Sequence, residues 1–174
     1  MAEITLFSNK NRKETSRYIF VILFAFISWL LQVSIFSNFL FFDAIPNLML
    51  LGAIFFGIVS GPLIGTLYGI ICSFLSASIL YDHVFYFSFP LIGLFAGLLV
   101  KNMFSDELLF FILLSFLLTL VFECLNGWQY SVVNQANFFN RYFLAGFSGA
   151  VLNLLFAPFY YWLMGFVTKK LKLR

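Results

Sequence analysis

The sequence predicts an all-α fold, a polytopic integral membrane bundle of six transmembrane helices, and three observations carry that prediction. Of 174 residues, 63% are hydrophobic and only 10% charged, against roughly 25% charged residues in an average soluble domain. The apolar residues gather into six segments, roughly 18–37, 47–59, 62–80, 84–100, 108–125 and 141–167, separated mostly by short polar gaps. Basic residues collect at the ends: Lys10, Arg12, Lys13 and Arg17 precede the first segment, and Lys169, Lys170, Lys172 and Arg174 follow the last. The expected organisation is a basic cytoplasmic tail over 1–17, a transmembrane domain over 18–167 and a second basic cytoplasmic tail over 168–174.

The first apolar run, from Tyr18 to about Phe36, exceeds the 7 to 15 residues of a signal-peptide core and lacks a small-x-small cleavage site, so it reads as a retained helix. Gln32 lies in its outer half. The second segment follows "FDAIPN" and begins at Asn47; about 13 residues at 1.5 Å each reach only about 20 Å, short of a hydrocarbon core of about 30 Å. It either borrows residues from the preceding stretch or pairs with the third segment as a partly re-entrant hairpin. Between the two lies "SGP". Gly61 suits the end of one helix and Pro62 the first turn of the next, so a tight antiparallel reversal is expected there.

Small residues then recur every four positions: Gly57, Gly61, Gly65 and Gly69, continued by Ser73 and Ala77. Lipid tails are as apolar as leucine, so hydrophobicity does not drive helices together in a bilayer; a small-residue stripe lets two backbones approach and gain packing instead. Gly93 and Gly97 repeat the spacing on the fourth segment, and Gly146 and Gly149 give a shorter version at the start of the sixth. Each face admits two readings, packing within the chain or a groove kept for another protein's transmembrane helix. A phosphate-cradling loop is a poor fit, because it needs a polar loop after a strand and a nearby lysine.

The fifth segment carries Glu123 near its outer end, an ionisable residue of the kind that seeks a partner in a membrane. Arg141, at the outer start of the sixth segment, is the expected partner; a carboxylate reaching interfacial water is the other reading. "NGWQYSVVNQANFFNR" between them reads as the one longer polar loop. In the sixth segment Pro158 frees the carbonyl of Leu154, so a kink is expected, with Asn153 beside it. Asn153 and Gln32 are each expected to bond freed backbone or to reach across to another helix.

Charge sets the orientation. Six crossings with the N-terminus inside place nine Lys/Arg on the inner side, the eight terminal ones and Lys101, and leave only Arg141 outside with Asp43, Asp82 and His83. The net charge of +3 is thereby accounted for by topology and headgroup contact, and no nucleic-acid partner is expected. Cys72 and Cys124 fall inside apolar runs and imply neither disulfide nor metal. With one histidine and few embedded polar groups, no catalytic residue, cofactor or metal site is expected, and the chain reads as non-enzymatic.

"AIPNLMLLGAIFFGIVSGPLIGTLYGI" and "AVLNLLFAPFYYWL", together with "PLIGLFAGLL" and Glu123 in "LVFECL", resemble the rod shape-determining protein MreD family of bacteria over essentially the whole chain from Tyr18. One departure is that "GIICSFLSASILYDH" has serines where many similar members carry an acidic residue. The resemblance implies a multi-pass protein of the bacterial inner membrane with a fold like the substrate-binding subunits of energy-coupling-factor transporters. It also implies a non-enzymatic scaffold that binds a single-span MreC-like protein and works with MreB, RodA and a class B penicillin-binding protein in cell-wall elongation. A competing class is the substrate-capture subunit of a small-molecule transporter, for which the outer loop with Trp128, Gln129, Tyr130, Asn134, Gln135 and Asn137 supplies suitable side chains.

Overall fold

The computed structural model describes residues 9–36, 44–77, 86–100, 107–134, 137–142 and 146–170, with the side chains of all of these except 9–14, 134, 140, 141 and 170. The described residues form α1 (Asn9–Ser34), α2 (Leu48–Ser60), α3 (Pro62–Ala77), α4 (Ser88–Leu99), α5 (Glu107–Asn134), the one-turn α6 (Phe138–Arg141) and α7 (Phe147–Lys170). The protein is all-α, as its apolar segmentation predicts.

Three helices contain stretches long and apolar enough to cross a membrane: Thr15–Ser34, Glu107–Val133 and Phe147–Lys169. The other three apolar helices, α2, α3 and α4, have 13, 16 and 12 residues, or about 18–24 Å of helix. Length alone therefore supports three of the six expected crossings.

Two boundaries differ from expectation. α1 begins at Asn9, so residues 9–17 are helix rather than tail; Lys, Arg and Glu are good helix formers, and a basic run continues an apolar helix without penalty. α5 runs on to Asn134 and absorbs "NGWQYSVVN". That stretch contains no proline, and its single glycine, Gly127, costs only about 1 kcal/mol in a helix. Gly127 is buried, its Cα side facing the ring of Phe138. α7 passes unbroken through Pro158, whose ring is on the exposed side.

The six longer helices run alternately between two ends of the bundle. At one end Arg17 of α1 meets Ser60 of α2, Gly97 of α4 meets Pro62 of α3, and Glu107 of α5 meets Tyr161 of α7. At the other, Gln32 meets Leu48, Gly69 meets Phe89, the Phe89 and Phe122 rings pack with centroids 4.8 Å apart, and Thr119 meets Asn153. Asp43, Asp82, His83 and Lys101, on which the charge-based orientation also draws, lie outside the described residues.

α2 is the centre. Every residue from Leu48 to Ile58 is buried. Phe55 packs edge-on against Phe56, Phe111, Tyr160 and Tyr161, with ring centroids 5.7–6.5 Å apart, a geometry suited to the aromatic quadrupole. The lipid-type surface lies elsewhere: Ile19, Ile22, Leu23 and Phe26 of α1 are all about half exposed, and Leu155, Phe159, Trp162 and Phe166 of α7 more so.

Candidate functional site

The small-residue register is spent on a three-helix unit. α2 ends at Gly61, whose φ of 93° lies in the left-handed region open to glycine. Its N–H donates to the Gly57 carbonyl at 3.1 Å and its carbonyl accepts from Gly65 N–H at 3.1 Å. Gly61 thus closes one helix and starts the next, with Pro62 in the first turn of α3 where no donor is needed. A Cβ on Gly65 would stand 2.6 Å from both the Gly57 Cα and the Gly93 carbonyl oxygen, and one on Gly57 would stand 2.6 Å from that same oxygen. A Cβ on Gly69 would meet the Phe89 carbonyl at 2.5 Å, and Cβ atoms on Gly93 and Gly97 would run into the backbones of Gly65 and Pro62. All these neighbours are backbone or the Cβ atoms of Ala96 and Pro62, so nothing flexible can give way. The faces weighed as a groove for a visiting helix are filled by the chain's own helices.

Ser73, which extends this register, is buried and donates to the Tyr86 carbonyl at 2.7 Å, fastening α3 to the approach of α4. Gly52 is a further close approach: the Tyr68 ring occupies the space of its missing side chain, and the Tyr68 hydroxyl donates to Ser28 Oγ of α1 at 3.1 Å.

The second feature is a polar clasp on the first turn of α2. A helix start leaves four N–H groups without intrahelical acceptors, and in hydrocarbon no water is at hand to satisfy them. Asn47 caps the helix, its Oδ1 accepting from Leu50 N–H at 3.0 Å. Asn47 N–H donates to Asn153 Oδ1 of α7 at 2.8 Å. Leu48 N–H donates to Gln32 Oε1 of α1 at 2.8 Å, while Gln32 Nε2 donates to the Pro46 carbonyl at 2.9 Å. Asn153 Nδ2 donates in turn to Thr119 Oγ1 of α5 at 3.0 Å, and the Thr119 hydroxyl donates to the Ser115 carbonyl at 2.6 Å. Gln32, Thr119 and Asn153 are all buried. Both polar atoms of the Gln32 and Asn153 amides are used, as burial demands.

The opposite end of α2 is held by charge. Arg17 Nη2 donates to the Ser60 carbonyl at 2.9 Å, a cation on the last turn, where free carbonyls and the helix dipole favour it. Nearby, Tyr161 donates to Glu107 Oε2 at 2.9 Å, joining α7 to the first turn of α5.

Glu123 lies over the start of α7. A Cβ on Gly149 would stand 3.8 Å from Glu123 Oε1 and one on Gly146 3.1 Å from Glu123 Cβ. The two glycines make room for a carboxylate beside a helix N-terminus, where negative charge is stabilised. Arg141 belongs to α6, but its side chain lies outside the described residues, and with it the expected pairing to Glu123. Of the outer polar stretch, Trp128 is exposed on α5 and Asn137 caps α6 through Phe139 N–H at 3.1 Å; Gln135 and the side chain of Asn134 lie outside the described residues. Comparison with family models, curated proteins and solved structures finds no match. The site is therefore read from its own geometry.

That geometry brings Gln32, Asn47 and Asn153 to one point, with Glu123 one helical turn beyond Thr119 on α5. Among the described residues no group of three His, Cys, Asp or Glu side chains is placed to hold a metal ion. Sequence reasoning missed Arg17 as a cap, because a basic residue before an apolar run reads first as an orientation signal, and missed the Tyr161–Glu107 and Tyr68–Ser28 bonds, which need partners 54 and 40 positions away.

Proposed function

We propose that this chain is a non-enzymatic scaffold of the bacterial cell-wall elongation complex. All six apolar helices cross the inner membrane with both termini cytoplasmic, and the chain binds a single-span partner like MreC and helps maintain cell shape. One observation carries the reading: the residues on which the resemblance to MreD rests are those that fix this bundle. Pro46 and Asn47 sit in the clasp with Asn153, and Gly61–Pro62, Gly65, Gly69, Gly93 and Gly97 form the close-packed unit. The shared motifs thus encode a rigid support, which is what a scaffold needs.

The alternation of helix direction, with Arg17 and Tyr161 near one end, supports an even number of crossings. Short α2 fits this reading because its neighbours enclose it, and α3 and α4 pack backbone to backbone against it and each other. Since the glycine faces are occupied internally, partner binding falls to other surfaces, and the glycines serve it by holding the bundle in shape.

Depleting the protein in a rod-shaped bacterium that encodes it tests this. Rounding of the cells, rescue by the wild type but not by Gly65→Leu, and copurification of an MreC-like protein with the wild type are expected. Unchanged shape after depletion, together with no such protein in the purified complex, would overturn the scaffold reading.

A further inference from the structure

At the Arg17 end, between the last turns of α2 and α7, lies a cleft of about 310 Å³ lined by Phe55, Val59, Trp162, Gly165, Phe166 and Lys169, among others, within the size range of small-ligand sites. Its floor is open at Gly165: a Cβ there would meet nothing within 4 Å. Gly57, Gly65, Gly69, Gly93 and Gly97 are crowded by neighbouring backbones and Gly61 sits in the α2–α3 junction, whereas Gly165, inside α7, leaves space beside its bare backbone. The walls are apolar and face outward, with Trp162 and Phe166 67% and 62% exposed. In a membrane-embedded chain this space is filled by acyl chain.

The mouth carries charge. Lys169 lines it one helical turn beyond Gly165 and is exposed. Val59 in the wall precedes Ser60, whose carbonyl holds the Arg17 guanidinium. Among the residues with described side chains, the one carboxylate at this end is Glu107, which accepts from Tyr161. Among these same residues, Lys169 and Arg17 against one engaged carboxylate leave a positive rim above an apolar slot, the arrangement by which basic pockets between helices hold anionic headgroups. We propose that this cleft binds one anionic diacyl phospholipid, an acyl chain lying over Gly165 and the phosphodiester against Lys169. The site stands independently of the scaffold reading.

The test is native mass spectrometry of full-length protein released from nanodiscs of phosphatidylglycerol, phosphatidylethanolamine or phosphatidylcholine. The wild type is expected to retain one phosphatidylglycerol in preference to the other two. Gly165→Leu, which fills the floor, is expected to abolish the adduct, and Lys169→Ala to weaken retention about fivefold, the effect of one basic residue near a membrane surface. Leu155→Ala, on the exposed side of the same helix, should leave the adduct unchanged. Lys169→Ala is a surface change that leaves folding intact, so the headgroup arm holds even if Gly165→Leu disturbs the bundle. No retained phospholipid, retention indifferent to headgroup, or retention unchanged in Lys169→Ala would each overturn the assignment.

Discussion

Asn153, on the last long helix, accepts the backbone N–H of Asn47 at 2.8 Å across 106 positions of sequence. The bond satisfies a donor just ahead of α2, and the same amide reaches Thr119 of α5, so one side chain joins three segments.

Removing that side chain should be costly. Asn153→Leu is expected to destabilise the bundle by about 1–3 kcal/mol, the cost of stranding a buried donor. Thr119→Val loses the bond from Asn153 and the hydroxyl's own bond to the Ser115 carbonyl; the interhelical one should cost about 0.6 kcal/mol, the average in membranes. Reversible unfolding in mixed micelles measures both, and the double variant should fall short of the sum, since the sites share a bond.

Gln32→Leu removes the acceptor for Leu48 N–H and the donor to the Pro46 carbonyl. A loss of about 1–3 kcal/mol is expected, together with faster amide hydrogen exchange in the first turn of α2. An effect confined to α1 would contradict the clasp.

The glycines separate into two kinds. Gly65→Ala puts a methyl group 2.6 Å from two backbone atoms, so the three-helix unit must open; a loss of more than about 2 kcal/mol is expected, in the range of severe overpacking. Gly61→Ala meets no steric neighbour but has φ 93° and ψ 168°, so its loss should be about 1–3 kcal/mol from backbone strain alone. Thermal melts in one detergent rank the two.

Arg17→Ala strips the cation from the last turn of α2 and should cost up to about 2 kcal/mol, with exchange rising at Gly57 to Gly61. Arg17→Lys should recover part of this. Equal exchange in all three proteins would show that the contact with Ser60 contributes nothing.

Much of this was legible in the sequence, for definite reasons. Gly61–Pro62 fixes a reversal by local stereochemistry, so the α2–α3 junction needs no tertiary information. Four-residue spacing places Gly65, Gly69, Gly93 and Gly97 on helix faces whatever their partners. Gln32, Asn47 and Asn153 stand out because amides are rare inside the apolar segments. That they meet could not be read, because it depends on which ends the helices share. The length of α5 was misread for the opposite reason: "NGWQYSVVN" is polar, but polarity without proline does not stop a helix whose buried side still packs, as Gly127 does on Phe138.

The burial of α2 bears on how the protein is made. A 13-residue helix is too short to cross a hydrocarbon core by itself, and the Gly61–Pro62 junction ties it to α3 as a hairpin. The N–H just ahead of its leading turn, on Asn47, meets its acceptor only once Asn153 has been made. The clasp is therefore completed late: a nascent chain truncated before α7 keeps the Asn47 cap and the Gln32 contact but leaves the Asn47 N–H without Asn153.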